Sequence, residues 1–344
     1  MLAIIGTVGV PACYGGFETL VDNLLDERDK KNVTVYCSSK SYSKRLTCYK
    51  NARLVYIPLN ANGASSIIYD IVSMIHAIFL RPKAILILGV SGCIFLPIFA
   101  FFSNAKIITN IDGLEWKRDK WSGIAKGFLK FSEKIAVRYS DVVVADNKGI
   151  AEHVNDTYSI TANVIAYGGD HAITDSLKVE DACYGLALCR IEPENNVDMI
   201  LEGFSRTSMR LVFIGNWNNS EFGVRMKEKY RQYENIEMLD PIYNLDKLFD
   251  FRRRCSVYVH GHSAGGTNPS LVEMMHFNKN ILAFDCNYNR ASTEERAAFF
   301  QNANELYELI NSLDDIDNAN QMLEIAQRRY TWQIVKEQYL DLID

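Results

Sequence analysis

The sequence predicts an α/β protein built from two doubly wound domains. Short apolar segments alternate with helical stretches through residues 1–166, and the alternation restarts near residue 183. Two successive series of this kind, in a chain of 344 residues, exceed what one core accommodates and indicate two parallel sheets covered by helices. We place an N-terminal domain at 1–166, a C-terminal domain at 167–328 and a helical segment at 329–344.

The first half supplies seven candidate strands. They lie near residues 2–6, 33–37, 53–57, 84–89, 106–110, 142–145 and 163–166. Residues 84–102 are 19 uncharged, mostly apolar residues, long enough in principle to span a bilayer. Gly89, Ser91, Gly92 and Pro97 divide them, so we predict a buried strand, a turn and a short helix instead.

The second half repeats the pattern. Apolar segments occur at 184–189, 210–215, 235–240, 248–254, 256–261 and 280–285, and helices are predicted over 197–205, near 221–232, over 269–277 and over 303–313. A final amphipathic stretch, 332–343, follows without another strand. Folds of this kind bind their ligands at the carboxyl ends of the strands, so the loops after the strands are the candidate functional segments.

The composition is that of a globular protein, with 48% apolar and 23% charged residues. Eight cysteines are scattered without a C-x-x-C pair, which indicates reduced thiols in a cytosol rather than disulfides or a structural zinc site. Met1 leads directly into an apolar strand, so we predict no signal peptide.

The net charge of −5 is unevenly distributed. Residues 1–166 carry 19 Lys/Arg and 14 Asp/Glu, whereas residues 167–344 carry 18 and 28. This asymmetry indicates that the first half approaches something anionic, although unevenly charged solvated surfaces would give the same counts. The overall acidity and the lack of a binding motif argue against nucleic acid as a partner.

Two segments of the basic half indicate what that anion is. Residues 66–80 form a predicted helix with few polar positions. Residues 115–139 combine Trp116, Trp121, Phe128 and Phe131 with seven basic residues (Lys117, Arg118, Lys120, Lys126, Lys130, Lys134, Arg138). Because basic amphipathic helices with aromatic residues are typical of membrane interfaces, we predict peripheral contact with an anionic membrane.

The chain opens with an apolar strand and a loop that holds Gly6, Gly9, Gly15 and Gly16. A glycine-rich turn after a strand usually lets the backbone approach a ligand, often a phosphate. The dinucleotide fingerprint fits poorly, because the spacing differs from G-x-G-x-x-G and the next strand ends without a carboxylate. A glycine-rich turn without any ligand is the remaining alternative.

A second glycine turn lies in residues 258–275, between a strand that ends at His260 and a helix that begins at Pro269. The turn consists of Gly265, Gly266, Thr267 and Asn268. Its free backbone N–H groups are predicted to cradle a diphosphate. Glu273, one helical turn further on, would reach the ribose hydroxyls. The alternatives are a solvated helix carboxylate for Glu273 and structural roles for His260 and His262.

Two further strand ends carry charged side chains. Arg190 follows a strand and is placed to neutralise phosphate oxygens, unless it merely pairs with Glu192 or Glu194. Asp112 and Glu115 follow another strand, where either would orient a hydroxyl or act as a base. Alternatively, Asp112 caps the next helix.

Four stretches carry a resemblance to a known family. They are "GTVGVPACYGGFET" (6–19), "DGLEWKRDKW" (112–121), "RIEPENN" (190–196) and "VHGHSAGGTNPSLVEMM" (259–275). The chain resembles GT-B glycosyltransferases of family 4. It is most similar to bacterial rhamnosyltransferases whose N-terminal domain has a GTRGIPAxYGGFET-type signature.

The resemblance implies two Rossmann-like domains that face a central cleft, with the acceptor in the first domain and a nucleotide-sugar donor in the second. It also implies that the C-terminal helix at 329–344 crosses back to the first domain. The expected transfer retains the anomeric configuration and uses neither a metal nor a cofactor, so protein groups must stabilise the diphosphate charge.

The resemblance also assigns roles to individual residues. Arg190 and Asp112 are the expected catalytic residues; Gly265, Gly266, Thr267, Asn268, Glu273, Asn195 and His260 bind the donor; Gly9, Tyr14, Gly15, Gly16 and Glu115 form the loop that meets the acceptor and diphosphate. Three positions depart from the family pattern. Gly265 occupies the position of the first glutamate of E-x7-E, Asn195 that of a lysine and Asp112 that of a histidine.

We therefore expect a glycosyltransferase of bacterial capsule or cell-surface polysaccharide synthesis, peripheral on the cytoplasmic face of the plasma membrane. The first-choice donor is dTDP-L-rhamnose, with UDP-linked sugars as the other class, and the expected acceptor is a polyprenyl-diphosphate-linked saccharide. The alternatives are a sugar-nucleotide epimerase of the same fold and a non-catalytic scaffold that binds nucleotide sugars.

Overall fold

A computed structural model describes residues 1–12, 15–27, 32–114, 116, 122–174 and 182–343. The chain divides into two compact units. The first unit consists of Met1–Tyr167 with Trp332–Asp344, and the second consists of Gly168–Thr331.

The first unit is built on an eight-stranded sheet. Its elements are β1 (Leu2–Ile5), α1 (Gly16–Leu24), β2 (Val33–Ser38), β3 (Cys48–Tyr49), β4 (Ala52–Ile57), α2 (Ser65–Leu80), β5 (Ala84–Leu88), α3 (Leu96–Phe102), β6 (Lys106–Asn110), α4 (Gly123–Tyr139), β7 (Val142–Ala145), α5 (Lys148–Tyr158), β8 (Asn163–Val164) and α13 (Trp332–Ile343). The strand order is β3-β4-β2-β1-β5-β6-β7-β8, and only β3 pairs antiparallel with its neighbour. The order reverses between β1 and β5, where parallel sheets of this type bind ligands.

Helices cover both faces of this sheet. From β4 onward each crossover moves in one direction along the sheet, which places α2, α3, α4 and α5 on one face because such crossovers are right-handed. The β1–α1–β2 crossover runs in the opposite direction, so α1 lies on the other face, and α13 packs beside it. Val335 and Tyr339 of α13 are buried in the core that α1 shares with the central strands.

The second unit is a six-stranded, fully parallel sheet. Its elements are β9 (Tyr184–Leu188), α6 (Val197–Ser205), β10 (Arg210–Ile214), α7 (Glu221–Tyr230), β11 (Ile236–Leu239), α8 (Leu245–Arg254), β12 (Val257–His260), α9 (Pro269–Met275), β13 (Asn280–Phe284), α10 (Asn287–Ser292), β14 (Ala298–Phe300), α11 (Ala303–Asn311) and α12 (Ala319–Arg329). The order β11-β10-β9-β12-β13-β14 is the Rossmann order, with its reversal between β9 and β12.

These elements confirm the predicted α/β class with two doubly wound sheets. Residues 84–102 form a strand, a turn and short helices, as expected from their glycines and proline. Across the described ranges, no helix has both the length and the apolar character that crossing a membrane requires.

Two assignments need correction. Residues 248–254, grouped with the apolar strand segments, belong to the helix α8, because only Leu248, Phe249 and Arg252 are buried and they lie on one helical face. The short strands β3 and β14 were not predicted, since segments of two or three residues carry no alternating pattern.

Candidate functional site

The reversal point of the second sheet brings two predicted site residues to neighbouring strand ends. β9 pairs with β12, so the loop that holds Arg190 begins beside the strand that ends at His260. Both strands are buried along almost their whole length, which fixes the positions of their carboxyl ends. This edge of the sheet is where a doubly wound domain binds its ligand.

Arg190 lies at the surface of this edge. Its side chain is about half exposed, and a guanidinium nitrogen lies 3.6 Å from a carboxylate oxygen of Glu192. The ion pair that the sequence left open as an alternative therefore exists, but at this distance and exposure it is weak. The guanidinium retains donors for an anionic ligand.

Asn195 has a different position from the one expected of a donor-binding side chain. It is buried, and its amide donates a 2.7 Å hydrogen bond to the carbonyl oxygen of Arg190. The amide of Asn196 donates to the carbonyl oxygen of Gly261 at 2.8 Å. The side-chain amide of Asn195 thus stabilises the loop that holds Arg190. This hydrogen bond lies within the protein and does not face a ligand.

Gly261 explains why the two loops fit together. A Cβ atom at this position would overlap the backbone carbonyl of Asn195 and lie 2.8 Å from the side chain of Ile200. Only a glycine lets the end of β12 approach the Arg190 loop this closely.

His260 is buried at the end of β12. Its Nδ1 atom lies 3.4 Å from the hydroxyl of Tyr258, and its ring stacks on His262 with a centroid distance of 4.5 Å. Burial lowers the pKa of His260 to about 3, so the ring is neutral at physiological pH. Its Nε2 atom has no hydrogen-bond partner among the residues that the structure describes.

The glycine turn after β12 has an open side. Gly265 has φ +111°, a conformation that favours glycine, and nothing lies within 4 Å of the place a Cβ would occupy. Gly266 is half-buried and Thr267 is buried. Asn268 caps the seven-residue helix α9, because its side-chain oxygen accepts from the backbone N–H of Ser270 at 3.0 Å.

Glu273 is not the solvated carboxylate that the sequence allowed. Its side chain on α9 is 12% exposed, Arg252 of α8 donates to it, and the Nε2 atom of His171 lies 3.3 Å from its other oxygen. Burial alone would raise the pKa of the Glu273 carboxyl, but Arg252 and His171 together hold it below its usual value. The carboxylate is therefore ionised and fixed in orientation.

Arg252 and His171 are site residues that the sequence did not reveal. Arg252 is the first of three consecutive arginines, and only the helical geometry of α8 shows that it points inward while its neighbours are exposed. His171 lies just after the predicted domain boundary at residues 166–167, where no motif marks it. No spacing rule connects either residue to Glu273.

In the first unit, the opening loop is stabilised by Glu18. This buried carboxylate of α1 accepts from the Thr7 hydroxyl at 2.9 Å and from the backbone N–H of Val8 at 2.7 Å. The backbone N–H of Gly9 donates to the Thr7 hydroxyl at 3.3 Å. An acidic residue in the first turn of the helix was the available sequence signal for this role.

The glycines of the opening loop are explained largely by packing within the unit. A Cβ at Gly9, which has φ +132°, would lie 2.7 Å from the sulfur of Cys37. A Cβ at Gly15, which has φ +114°, would overlap the carboxylate of Glu18. Gly16 begins α1 and has ordinary space around it. Tyr14, also assigned to this loop, lies outside the described residues.

Asp112 follows β6 with φ +58°, a left-handed conformation that aspartate adopts more readily than most residues. Its backbone N–H donates to the side-chain oxygen of Asn110 at 2.9 Å, and Asn110 donates to the hydroxyl of Tyr339 at 2.7 Å. The cap of α4 is Ser122, whose side chain accepts from the backbone N–H of Ala125. Glu115 lies outside the described residues.

The chain thus contains two doubly wound sheets, and the second has the Rossmann order with an arginine and a glycine turn at its reversal point. Residues 1–170 match the family model of DUF1972, a domain of unknown function. No similar sequence was found among curated proteins.

Solved structures with the same fold cover nearly the whole chain. Sucrose-phosphate synthase from Thermosynechococcus elongatus matches with a TM-score of 0.80 at 12% identity, over 99% of this chain and 97% of its own. HepE from Anabaena, in complex with UDP and glucose, matches with 0.71 at 10% identity, over 99% and 98%. MnaA from S. aureus, with UDP, matches with 0.60 at 18% identity, over 99% and 96%. The chain therefore has the GT-B fold.

Proposed function

We propose that the protein is a glycosyltransferase that binds a nucleotide sugar in its second unit. One observation carries the proposal: Arg190 and His260 come together at the reversal point of the β9–β12 sheet, beside the open glycine turn at Gly265. A structure with the same fold, HepE, contains UDP and glucose, which supports a nucleotide sugar as the ligand class.

In the proposed reaction, the bond between the anomeric carbon and the diphosphate breaks and a bond to an acceptor hydroxyl oxygen forms. The leaving nucleoside diphosphate gains negative charge as the bond breaks. Arg190 would stabilise that charge with two parallel N–H donors, helped by the backbone N–H groups of Gly265–Asn268. Asp112 of the first unit would orient the acceptor hydroxyl and take up its proton.

The finer assignment rests on the four stretches that resemble family 4 rhamnosyltransferases. We propose dTDP-L-rhamnose as the first-choice donor, a polyprenyl-diphosphate-linked saccharide as the acceptor, and retention at the anomeric carbon. The reaction would serve bacterial capsule or cell-surface polysaccharide synthesis on the cytoplasmic face of the plasma membrane.

A donor screen tests the proposal. The protein is incubated with dTDP- and UDP-linked sugars, with and without lipid-linked saccharide, and release of nucleoside diphosphate is measured. We expect nucleoside diphosphate to be released only when the acceptor is present. The anomeric configuration of the product linkage, determined by NMR, should be the same as that of the donor. A converted sugar nucleotide without acceptor would indicate an epimerase. Binding without turnover would indicate a scaffold, and failure to bind any nucleotide would refute the proposed site.

A further inference from the structure

The helices α2, α3 and α4 of the first unit present an unusual amount of apolar surface. They lie side by side, since α3 contacts both α2 and α4. Of the 13 large apolar residues that are exposed in the described part of the chain, nine belong to these helices. They are Ile68, Ile75, Phe79, Ile98, Phe101, Phe102, Ile124, Phe131 and Tyr139. We call this surface the apolar face.

The residues of the apolar face lie on neighbouring helices rather than scattered over the unit. Ile75 and Phe79 follow Ile68 by seven and eleven residues, which places all three on one stripe of α2, opposite its buried residues. Phe101 and Phe102, 82% and 64% exposed, end the neighbouring helix α3. A contiguous apolar patch on a folded protein marks a site of interaction, whereas single exposed apolar residues do not.

The exposed charged residues on these helices are all basic. The two carboxylates of α2, α3 and α4 are Asp70 and Glu133, and both are buried. Lys130, Lys134 and Arg138 are exposed on α4. The outer surface of the three helices therefore combines aromatic and aliphatic side chains with positive charge and carries no carboxylate.

The buried carboxylates have internal roles, so they do not reduce this positive charge at the surface. Glu133 accepts from the indole N–H of Trp116 and from the hydroxyl of Tyr158, both at 2.8 Å, and lies 3.1 Å from His153. Asp70 accepts from the Ser91 hydroxyl at 2.6 Å.

We propose that the apolar face docks on the surface of an anionic lipid bilayer. The inference rests on the proposed function in that a lipid-linked acceptor requires a membrane. Apolar side chains enter the boundary between headgroups and acyl chains while lysine and arginine contact anionic headgroups. A second copy of the chain is a poorer occupant, since a symmetric contact would place like charges against each other. With 16 residues, α2 lies on the membrane rather than across it.

Vesicle co-sedimentation tests the apolar contribution. The probe is vesicles of phosphatidylglycerol and phosphatidylcholine, without donor or acceptor. The triple variant Phe79→Ser, Phe101→Ser, Phe102→Ser should lower partitioning more than roughly tenfold, because each buried phenylalanine contributes strongly to insertion. The matched control is Tyr243→Ser with Leu245→Ser, two exposed apolar residues of the second unit.

A second pair of variants tests the charge. Lys134→Gln with Arg138→Gln should lower partitioning about fivefold per charge removed on anionic vesicles, and much less on phosphatidylcholine alone. Raised salt should have the same effect. Arg225→Gln with Arg253→Gln, which removes two exposed helical arginines from the second unit, is the control and should bind as the wild type.

Three outcomes would overturn the proposal. The wild-type protein does not bind anionic vesicles, the triple variant binds them as well as its control, or the wild type is a dimer in solution and the triple variant is a monomer. Calorimetry with UDP and dTDP separates this proposal from the proposed function. If the wild-type protein binds nucleotide but not vesicles, only the docking proposal is refuted. If it binds vesicles but no nucleotide, only the glycosyltransferase assignment is refuted.

Discussion

Arg252 and Glu273 form an ion pair with both side chains withdrawn from solvent, only 4% and 12% exposed. They stand on different helices, α8 and α9, and the pair links these helices below the glycine turn. His171 approaches the same carboxylate from a third segment. The residue expected to hold a ribose is thus also a structural element of the second unit.

Removing the carboxylate should therefore unfold the protein more easily. Glu273→Ala leaves the Arg252 guanidinium buried without its counter-charge, which should lower the free energy of unfolding by about 3–5 kcal/mol. Urea denaturation measures the change. The double variant Arg252→Met, Glu273→Leu removes both charges and should recover most of the loss. A single variant within about 1 kcal/mol of the wild type would contradict a tight pair.

A milder substitution separates ligand binding from stability. Glu273→Gln keeps the size and a carbonyl acceptor but loses the charge, so we expect nucleotide affinity to fall by about 1–3 kcal/mol in a protein that is still folded. Isothermal calorimetry with UDP or dTDP provides the measurement. Unchanged affinity would place the ribose elsewhere.

Arg190 should affect turnover much more than stability. If its guanidinium stabilises the leaving diphosphate, Arg190→Ala should lower kcat by roughly 10²–10³, and Arg190→Lys should recover only part because an ammonium lacks the planar fork. Arg225→Ala, an exposed arginine on α7, is the control. Near-normal turnover of Arg190→Ala would leave only the weak pair with Glu192.

Asp70 should make stability depend on pH. Burial raises the pKa of its carboxyl from 3.8 to about 7, against the opposing effect of the Ser91 hydrogen bond. Between these values the folded state holds a proton that the unfolded state has lost. The contribution of Asp70 to the free energy of unfolding should therefore fall as pH rises, by up to about 1.4 kcal/mol per pH unit, and level off above pH 7.

The comparison with Asp70→Asn isolates this contribution. Asparagine does not titrate, so the difference in unfolding free energy between the two proteins should change steadily across the same pH range. Urea denaturation at several pH values gives that difference, and a difference independent of pH would show that Asp70 is ionised in the folded state.

Two glycine substitutions should have opposite effects. A Cβ at Gly92 would overlap the Cβ of Asp70, so Gly92→Ala should destabilise the protein by about 1–3 kcal/mol. Gly127 lies in α4 with nothing within 4 Å of its Cβ position, so Gly127→Ala should stabilise by roughly 0.5–1 kcal/mol. Thermal unfolding distinguishes them, and equal effects would contradict the close approach of Gly92 to α2.

Most strands of both units were predictable, because a parallel strand is a short apolar run bounded by polar or glycine residues. The short edge strands β3 and β14 were not. The strand order then brings Arg190 and His260 together, and both were identified as strand-end residues. The partner of Glu273 was not predictable, since selecting Arg252 from three adjacent arginines requires the tertiary packing of α8. The donor-binding role of Asn195 came from the resemblance alone, and its amide hydrogen bond to the carbonyl oxygen of Arg190 requires the folded loop.

The helix α13 belongs to the first unit although all of the second unit precedes it in the chain. During synthesis, the ribosome therefore makes the entire second unit before it makes the helix α13 of the first unit. Until then, the positions that Trp332 and Val335 occupy in the core beside α1 stay open to water. A nascent chain stalled within the second unit therefore carries a first unit that lacks α13.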